Sequence, residues 1–84
     1  MLAHVSASIS DPRYRKLCGL LRQMREEAGL SQVELARRLR KPQSYVSKYE
    51  SAERRLDVLE VWLVCEAMGV RFMHFARRYE SELR

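Results

Sequence analysis

Residues 32–50 have the sequence QVELARRLRKPQSYVSKYE, and this stretch decides the fold that we predict. Its first half predicts a short helix, because apolar side chains recur there at helical spacing on one face. These side chains are Leu35, Ala36 and Leu39. Pro42 cannot lie deep in a helix, so it ends this helix and fits the first turn of the next one, at about residues 42–51. In that next helix Val46 and Tyr49 are the clear inward pair, so the stretch predicts two short helices joined by a tight turn.

Signals for helix ends flank this stretch on its N-terminal side. Ser31 and Glu34 have the spacing of a capping box, in which each side chain accepts the other residue's backbone amide. Earlier in the chain, Asp11 and Pro12 form a helix start, with Asp11 as the N-cap and Pro12 as the first helical residue. An apolar stripe then continues at helical spacing until Gly29, which ends this first helix. The stripe consists of Tyr14, Leu17, Cys18, Leu21, Met24 and Ala28.

Two further helices are predicted after this stretch. Asp57 caps a fourth helix that Gly69 ends, and this helix is apolar almost all round, so it needs cover on more than one side. One of its faces consists of Val58, Val61, Trp62, Cys65 and Met68, while Leu59, Leu63 and Val64 lie off that face. Residues 71–83 form a fifth helix, whose stripe consists of Phe72, Phe75, Ala76, Tyr79 and Leu83. We therefore expect an all-α domain of five helices over residues 11–84, preceded by a flexible N-terminal arm at residues 1–10.

The composition favours a single small basic domain. The chain has 84 residues, of which 46% are hydrophobic, so a core can form without disulfide or metal support. A formal net charge of +5 and a sequence pI of about 9.7 favour an anionic partner, with nucleic acid ahead of a membrane surface. The first residues lack the basic and apolar segments of a secretory signal, and no apolar run has membrane-spanning length. We therefore expect a cytoplasmic protein.

The sequence offers little support for catalysis or for a bound cofactor. Cys18 and Cys65 stand far apart among apolar residues and outside any metal-ligand spacing, so we interpret them as reduced core residues. His4 and His74 have no ligand partners at a suitable spacing, and a structural zinc site needs about four ligands. There is no catalytic Ser/His/Asp or Cys/His arrangement and no glycine-rich phosphate loop. We therefore expect no enzyme activity, no metal and no cofactor.

The outward face of the predicted third helix carries the functional hypothesis. One exposed strip is formed there by Gln43, Ser44, Ser47 and Lys48. Glutamine pairs with adenine through two hydrogen bonds, lysine pairs with guanine acceptors, and serine pairs with either base. Tyr45 flanks this strip, where it can meet a backbone phosphate or a thymine methyl. An ordinary solvated helix face is the alternative, but a position after a capped helix and a sharp turn favours base contacts in the major groove of DNA.

These features resemble the helix-turn-helix of the Cro/repressor (Xre) family of phage and bacterial transcriptional regulators. Gln32 opens the first helix of the motif, Ala36 is the small residue where the two helices cross, and Glu50 closes the second helix. The resemblance covers about residues 13–70 and implies a compact lambda-repressor-like DNA-binding domain. Family members usually have glycine in the turn, and this chain has Arg40 there. A left-handed Arg40 implies a strain of about 1 kcal/mol.

The resemblance also implies roles for individual side chains. Base edges are contacted by Gln43, Ser44 and Lys48, joined by Ser47. The DNA backbone is contacted by Gln32 at a helix N-terminus, and by Arg54 and Arg55 in the loop after the third helix. For both arginines, a solvated loop charge is the alternative. Arg25 and Glu50 resemble a family ion pair that holds the third helix at a fixed angle to the first.

A homodimer is a further implication of the resemblance. Two copies related by a twofold axis double the contacts and bind a palindrome whose half-sites lie about 34 Å apart. The candidate interface is the apolar surface of the fourth and fifth helices, formed by Leu59, Leu63, Phe72, Phe75, Tyr79 and Leu83. The alternative is that the fifth helix covers the fourth within one chain.

The expected function is sequence-specific binding of double-stranded DNA by a transcriptional regulator. A chain of this size would act by occupying an operator, and we expect it to repress a nearby gene. Two alternatives use the same fold with a protein partner or a different target. One is the antitoxin of a toxin-antitoxin pair, and the other is a controller of restriction-modification genes. Both share the same DNA chemistry, so the residues do not separate them, and no membrane partner is expected.

Overall fold

Five helices account for most of the residues that the structure describes. The structure is a computed structural model, and it describes residues 11–84. The helices are α1 (Pro12–Glu27), α2 (Gln32–Leu39), α3 (Gln43–Glu50), α4 (Val58–Met68) and α5 (Phe72–Glu82). No strand occurs among residues 11–84, so the predicted all-α fold of five helices is confirmed. The predicted flexible arm at residues 1–10 lies outside the described residues.

Side-chain caps explain where the helices begin. α1 begins after the predicted N-cap, Asp11, whose side chain accepts a backbone amide from the first turn. In the capping box of α2, the Glu34 amide donates to the Ser31 hydroxyl at 3.0 Å, and the Ser31 amide donates to the Glu34 carboxylate at 2.8 Å. Asp57 and Glu60 form the same arrangement at the start of α4. The predicted C-terminal signals also hold, since α1 and α4 end at the left-handed residues Gly29 and Gly69.

The main core lies between all five helices. α2 packs against α3 and α4, while α1 and α4 each pack against α5, and α1 also packs against α3. The largest fully buried side chains are Tyr49, Leu20, Leu21, Leu35, Val46, Val64, Cys18 and Cys65. A smaller cluster of Tyr14, Cys18 and Ala52 fixes the loop after α3 against α1. Since full burial of one such aliphatic side chain contributes about 1.5–3 kcal/mol, the inner face of α3 is held firmly by the rest of the domain.

The structure shows which side of α4 is buried, a point that the sequence left open. Its buried side chains are Val61, Val64, Cys65 and Met68. Val58 and Trp62, which share an apolar face with Val61 in the sequence pattern, are 75% and 43% exposed, whereas Val64, which lies off that face, is fully buried. A helix that is apolar almost all round has no polar stripe to indicate its rotation, so periodicity alone cannot choose its buried face. α4 consequently presents an exposed apolar stripe, formed by Val58, Leu59, Trp62 and Leu63.

α5 covers α4 and α1 within the chain, which corrects one residue of the predicted dimer interface. Phe75 is only 2% exposed and belongs to the main core, so it is not available to a second copy. Phe72 and Tyr79 are half-buried against the same core, and the Tyr79 hydroxyl donates to the Arg13 carbonyl at 2.7 Å. The amphipathic stripe of α5 therefore mainly completes the fold, as the alternative interpretation had it. Of that predicted set, Leu59, Leu63 and Leu83 remain exposed.

The two cysteines are small apolar residues of the interior. Cys18 and Cys65 are both free and buried, as the sequence predicted. Desolvation raises the pKa of both thiols, to about 11 for Cys65, so neither forms a thiolate readily. No helix among residues 11–84 combines the length and the apolar character that crossing a membrane requires.

Candidate nucleic-acid interface

An ion pair between α1 and α3 positions the candidate recognition helix. The Arg25 guanidinium donates to both carboxylate oxygens of Glu50, at 2.7 and 3.0 Å, and its remaining nitrogen donates to the Leu30 carbonyl at 2.8 Å. Both side chains are almost completely buried. The bond to Glu50 raises the pKa of Arg25, so the guanidinium stays charged. Removing one partner would leave a buried charge uncompensated, at a cost of about 3–5 kcal/mol. The pair therefore fixes α3 relative to α1, as the resemblance implied.

The outward face of α3 is free for contact. Val46 and Tyr49 are fully buried on the inner side of this helix. All the side chains that we assigned to base contacts are exposed on the opposite side, namely Gln43, Ser44, Ser47 and Lys48. α3 therefore meets the geometric condition for insertion into a groove: its inner side is packed and its outer side is polar.

Gln32 links the ion pair to the exposed face of α3. Its side-chain amide donates to Glu50 Oε1 at 2.9 Å, and its own oxygen accepts a bond from the Gln43 amide at 3.3 Å. Gln32 is half-buried at the N-terminus of α2, where backbone amides point outward and favour an anion such as phosphate. The chain of bonds from Arg25 through Glu50 and Gln32 therefore reaches a predicted base-contacting residue and limits the directions in which Gln43 can point.

Tyr45 is half-buried and contacts two cations. The Arg54 guanidinium carbon lies 4.6 Å from the centre of the Tyr45 ring, and Lys41 Nζ lies 5.3 Å from it. The ring also packs edge-on against Tyr49, with centroids 5.8 Å apart. Arg54 in turn donates to Glu60 Oε2 at 3.1 Å, and this bond raises the pKa of Arg54. Tyr45 and Arg54 are thus ordered by side-chain contacts before any DNA is present.

Tyr14 of α1 holds the loop that carries the two predicted phosphate-binding arginines. Its hydroxyl donates to the Arg54 carbonyl at 2.7 Å and accepts the Leu56 amide at 2.9 Å. The exposed Arg55 guanidinium lies 5.2 Å from the centre of the Tyr14 ring. Desolvation raises the pKa of Tyr14 to about 12, so the hydroxyl remains a donor at neutral pH. The loop therefore has a defined shape, with Arg55 on its outer side.

A cleft next to the exposed face of α3 brings these groups together. It has a volume of about 550 Å³ and is lined by Lys41, Pro42, Ser44, Tyr45, Lys48, Glu53 and Arg54. Its lining contains more cationic than anionic side chains, which favours an anionic occupant such as a DNA phosphate. Within residues 11–84 no group of His, Cys, Asp or Glu side chains is arranged to hold a metal ion.

Three residues of this surface were not recognised in the sequence. Tyr14 was assigned to the core stripe of α1, because periodicity does not indicate what a tyrosine hydroxyl bonds. Lys41 precedes Pro42 and lies one helical turn before Tyr45, and this spacing could have indicated its position beside the ring. Glu60 has the capping-box spacing from Asp57, a signal that sequence analysis could have used.

The turn between α2 and α3 has the geometry that usually requires glycine. Arg40 is left-handed, with φ of 57° and ψ of 43°. The Arg40 amide donates to the Arg37 carbonyl at 3.1 Å, and the Lys41 amide donates to the Ala36 carbonyl at 2.9 Å. This is the usual hydrogen-bonded end of a helix at a left-handed residue. The chain therefore keeps the tight turn and accepts the strain of an arginine in it.

Comparison with known proteins agrees with this geometry. The family model described as Helix-turn-helix matches residues 21–75. An XRE-family like protein from Pseudomonas syringae pv. tomato str. DC3000 is 43% identical, with 90% of this chain and 93% of that chain covered and a TM-score of 0.81. The chain belongs to the XRE family of helix-turn-helix proteins. This family and its fold are those of DNA-binding regulators.

Two more distant solved structures share the fold. The restriction-modification controller protein C.Esp1396I, a tetramer in complex with its natural 35 base-pair operator, is 22% identical with a TM-score of 0.81, covering 87% of this chain and 96% of that chain. The clp gene regulator ClgR from C. glutamicum is 22% identical with a TM-score of 0.77, covering 86% of this chain and 94% of that chain. Comparison of the sequence with curated proteins gives no match.

We predict that Arg40→Gly is more stable than Arg40→Ala by about 1 kcal/mol, because only glycine adopts the left-handed conformation without a steric penalty. The two variants lose the same charge at the same exposed site, so each controls for the other. Urea unfolding followed by circular dichroism gives the free energy of unfolding of both. Equal values for the two variants would show that the turn carries no backbone strain.

Proposed function

We infer that this XRE-family protein binds double-stranded DNA and regulates transcription. The observation that carries this conclusion is the exposed polar face of α3, held in place by the buried pair of Arg25 and Glu50 and bordered by the basic cleft. A helix that is fixed from behind and polar in front suits insertion into the major groove. The surrounding cations suit the phosphates on either side of that groove.

Four side chains of α3 are proposed to contact base edges. They are Gln43, Ser44, Ser47 and Lys48, all of which are exposed. Gln43 has the amide group that pairs with adenine, and Lys48 has the donor that suits guanine acceptors. The proposed backbone contacts come from Gln32 at the start of α2, Tyr45 on α3, and Arg54 and Arg55 in the loop after α3. Neither set includes a histidine or carboxylate that could activate its serines, and no group among residues 11–84 is arranged to hold a metal ion, so we propose that the protein acts by binding and not by catalysis.

We propose that two copies associate with each other through the apolar stripe of α4 and together bind a palindromic operator. This stripe consists of Val58, Leu59, Trp62 and Leu63, which are between 43% and 75% exposed. Contiguous exposed apolar side chains of this size indicate an interaction surface. A second copy is the occupant that we favour, because the related fold of C.Esp1396I occurs as a tetramer on its operator. The leucines at 59 and 63 belong to the interface predicted from the sequence.

Occupancy of an operator is the proposed mode of regulation. Residues 11–84 form one helix-turn-helix domain with a C-terminal helix, and we propose that this domain competes with polymerase for a promoter. Repression of a nearby gene is therefore the proposed effect. Because the proposed partner is chromosomal or phage DNA, we place the protein in the bacterial cytoplasm.

Selection of bound duplexes from a random pool tests the proposed function. We expect a twofold-symmetric consensus with half-sites about 34 Å apart. Affinity for the selected duplex should fall steeply as salt rises, because phosphate contacts release counterions. Fluorescence anisotropy between 50 and 200 mM salt, roughly the range over which this effect is large, gives the slope. Failure to enrich any sequence, together with an affinity that does not respond to salt, would rule out sequence-specific DNA binding.

Gln43→Ala should weaken binding to the selected duplex by about 1–3 kcal/mol and relax the preference at one base position. The reason is the loss of a side-chain amide that we assign to one base. Gln23→Ala is the matched control, since Gln23 is an exposed glutamine of α1 that bonds only Glu27 within residues 11–84. Repeating the selection with both variants measures preference at each position. An unchanged consensus for Gln43→Ala would remove Gln43 from the base-contacting set.

Leu59→Glu should convert the dimer to a monomer, because the substitution places a charge in the proposed apolar contact. Sedimentation velocity at several protein concentrations measures the change. Val33→Glu is the control: Val33 is 45% exposed on α2, outside the α4 stripe, so the same substitution there should leave the dimer intact. A Leu59→Glu protein that still sediments as a dimer would place the interface elsewhere.

A further inference from the structure

Glu60 occupies an unusual position beside the proposed DNA-binding surface. It lies in the first turn of α4, and its two carboxylate oxygens have different partners. Oε1 accepts the Asp57 amide at 2.9 Å and so caps the helix, while Oε2 accepts the Arg54 guanidinium at 3.1 Å. The Tyr45 hydroxyl also donates to Oε2, at the long distance of 3.5 Å. One carboxylate of α4 therefore contacts two of the residues that we assign to the DNA backbone.

The cations of the cleft differ in how far their charge is compensated. Arg54 has an ion pair with Glu60, and its side chain is 38% exposed, so a phosphate could still reach it. Lys41 and Lys48 also line the cleft, and neither has an ion pair within residues 11–84. Glu53 is the carboxylate that lines the cleft itself, and it accepts a bond from the Ser51 hydroxyl. Arg54 is thus the cleft cation that already has an anionic partner.

We propose that Glu60 limits the affinity of this protein for DNA by competing with a backbone phosphate for Arg54. The inference rests on the proposed function, since it concerns the same surface. A carboxylate and a phosphate bind a guanidinium in the same way, through charge-assisted hydrogen bonds from its planar nitrogens. A phosphate that enters the cleft must therefore displace Glu60 from Arg54 or accept a negative charge close by. Both routes oppose binding.

The effect of this competition does not depend on base sequence. Phosphate contacts supply nearly all of the affinity for non-specific DNA, and every duplex presents the same phosphates. Glu60 therefore weakens binding to the operator and to unrelated DNA by the same factor. Its role is to keep the absolute affinity low, so that the protein leaves unrelated DNA quickly. The choice between sequences remains with the side chains on the exposed face of α3.

Glu60→Gln tests the proposal with little structural change. A glutamine oxygen can still accept the Asp57 amide, so the cap is kept while the charge is lost. We expect about two- to fivefold tighter binding at low salt, to the selected duplex and to a scrambled duplex alike. The slope of log affinity against log salt concentration should become steeper by up to about 0.9, which is the contribution of one neutralised phosphate. Fluorescence anisotropy on both duplexes measures these changes.

Two comparisons separate this mechanism from a general effect of charge. In an Arg54→Ala background, Glu60→Gln should no longer tighten binding, because the arginine for which it competes is gone. Glu80→Gln makes the same change in net charge on α5, where Glu80 pairs with Arg84 at 2.9 Å, and it should leave the affinity nearly unchanged. Glu34→Gln removes the equivalent charge from the capping box of α2 and measures the cost of that loss in thermal unfolding.

The outcomes distinguish this proposal from the proposed function. If the wild-type protein binds DNA but Glu60→Gln binds no more tightly, the role of Glu60 is wrong and DNA binding stands. A gain that persists in the Arg54→Ala background also overturns the proposal. If the wild-type protein binds neither duplex, the proposed function fails, and the inference fails with it. Should Glu60→Gln not fold, NMR of the wild-type Arg54 Nη–H groups decides, since Nη2 bonds Glu60 and a signal unchanged by DNA would contradict the proposed exchange of partners.

Discussion

The placement of α3 depends on the buried ion pair between Arg25 and Glu50. α3 has only eight residues and no side-chain bond at its N-cap, so its intrinsic stability in water is small. Glu50 lies at its C-terminal end, where the helix dipole disfavours a negative charge. The Arg25 guanidinium compensates that charge and also binds the carbonyl of Leu30 in the connection to α2. One side chain therefore joins α1, the α1–α2 connection and α3, and it orients the exposed face of α3.

Features that depend on neighbouring residues in the chain could be predicted from the sequence. Asp11, Ser31 and Asp57 were correct as helix starts because a cap bonds an amide only a few residues away. The exposed strip of α3 was also correct, since two inward residues suffice to orient so short a helix. The buried side of α4 could not be predicted, because nearly all of its side chains are apolar. Phe75 was assigned to an interface because an apolar stripe does not show whether its partner is the same chain or another.

The contacts between residues of the candidate site were harder to predict from the sequence than the residues themselves. Tyr14 and Leu56 are separated by 42 positions in the sequence, yet a hydrogen bond joins them. No local pattern indicates such a contact, because it arises only when α1 and the loop after α3 pack together. The bond between Arg54 and Glu60 is similar, since sequence analysis could identify a loop arginine and a capping glutamate separately but not their meeting.

The net charge of +5 does not show which cationic side chains have a carboxylate partner and which have none. Several arginines of α1 and α5 have carboxylate partners. Arg78, for example, forms an ion pair with Glu27. Between residues 37 and 48 none of the cationic side chains has an ion pair within residues 11–84; these are Arg37, Arg38, Arg40, Lys41 and Lys48. Five of the ten cationic side chains without an ion pair within residues 11–84 therefore lie at the end of α2, in the turn and on α3. They contribute to the positive potential that attracts a polyanion.

The short length of α3 also limits how much information one copy can extract from a genome. Eight residues at about 1.5 Å each give a helix of about 12 Å, which spans roughly four base pairs at about 3.4 Å per step. A fully specified word of four letters occurs by chance about once in 256 positions, and a bacterial chromosome offers about a million or more competing sites. Two copies on one site raise the word to about eight letters, or roughly one chance match in 65,000 positions. Recognition of a single genomic site therefore requires several copies bound together and a contribution from the shape of the DNA. No change within one such helix can provide it.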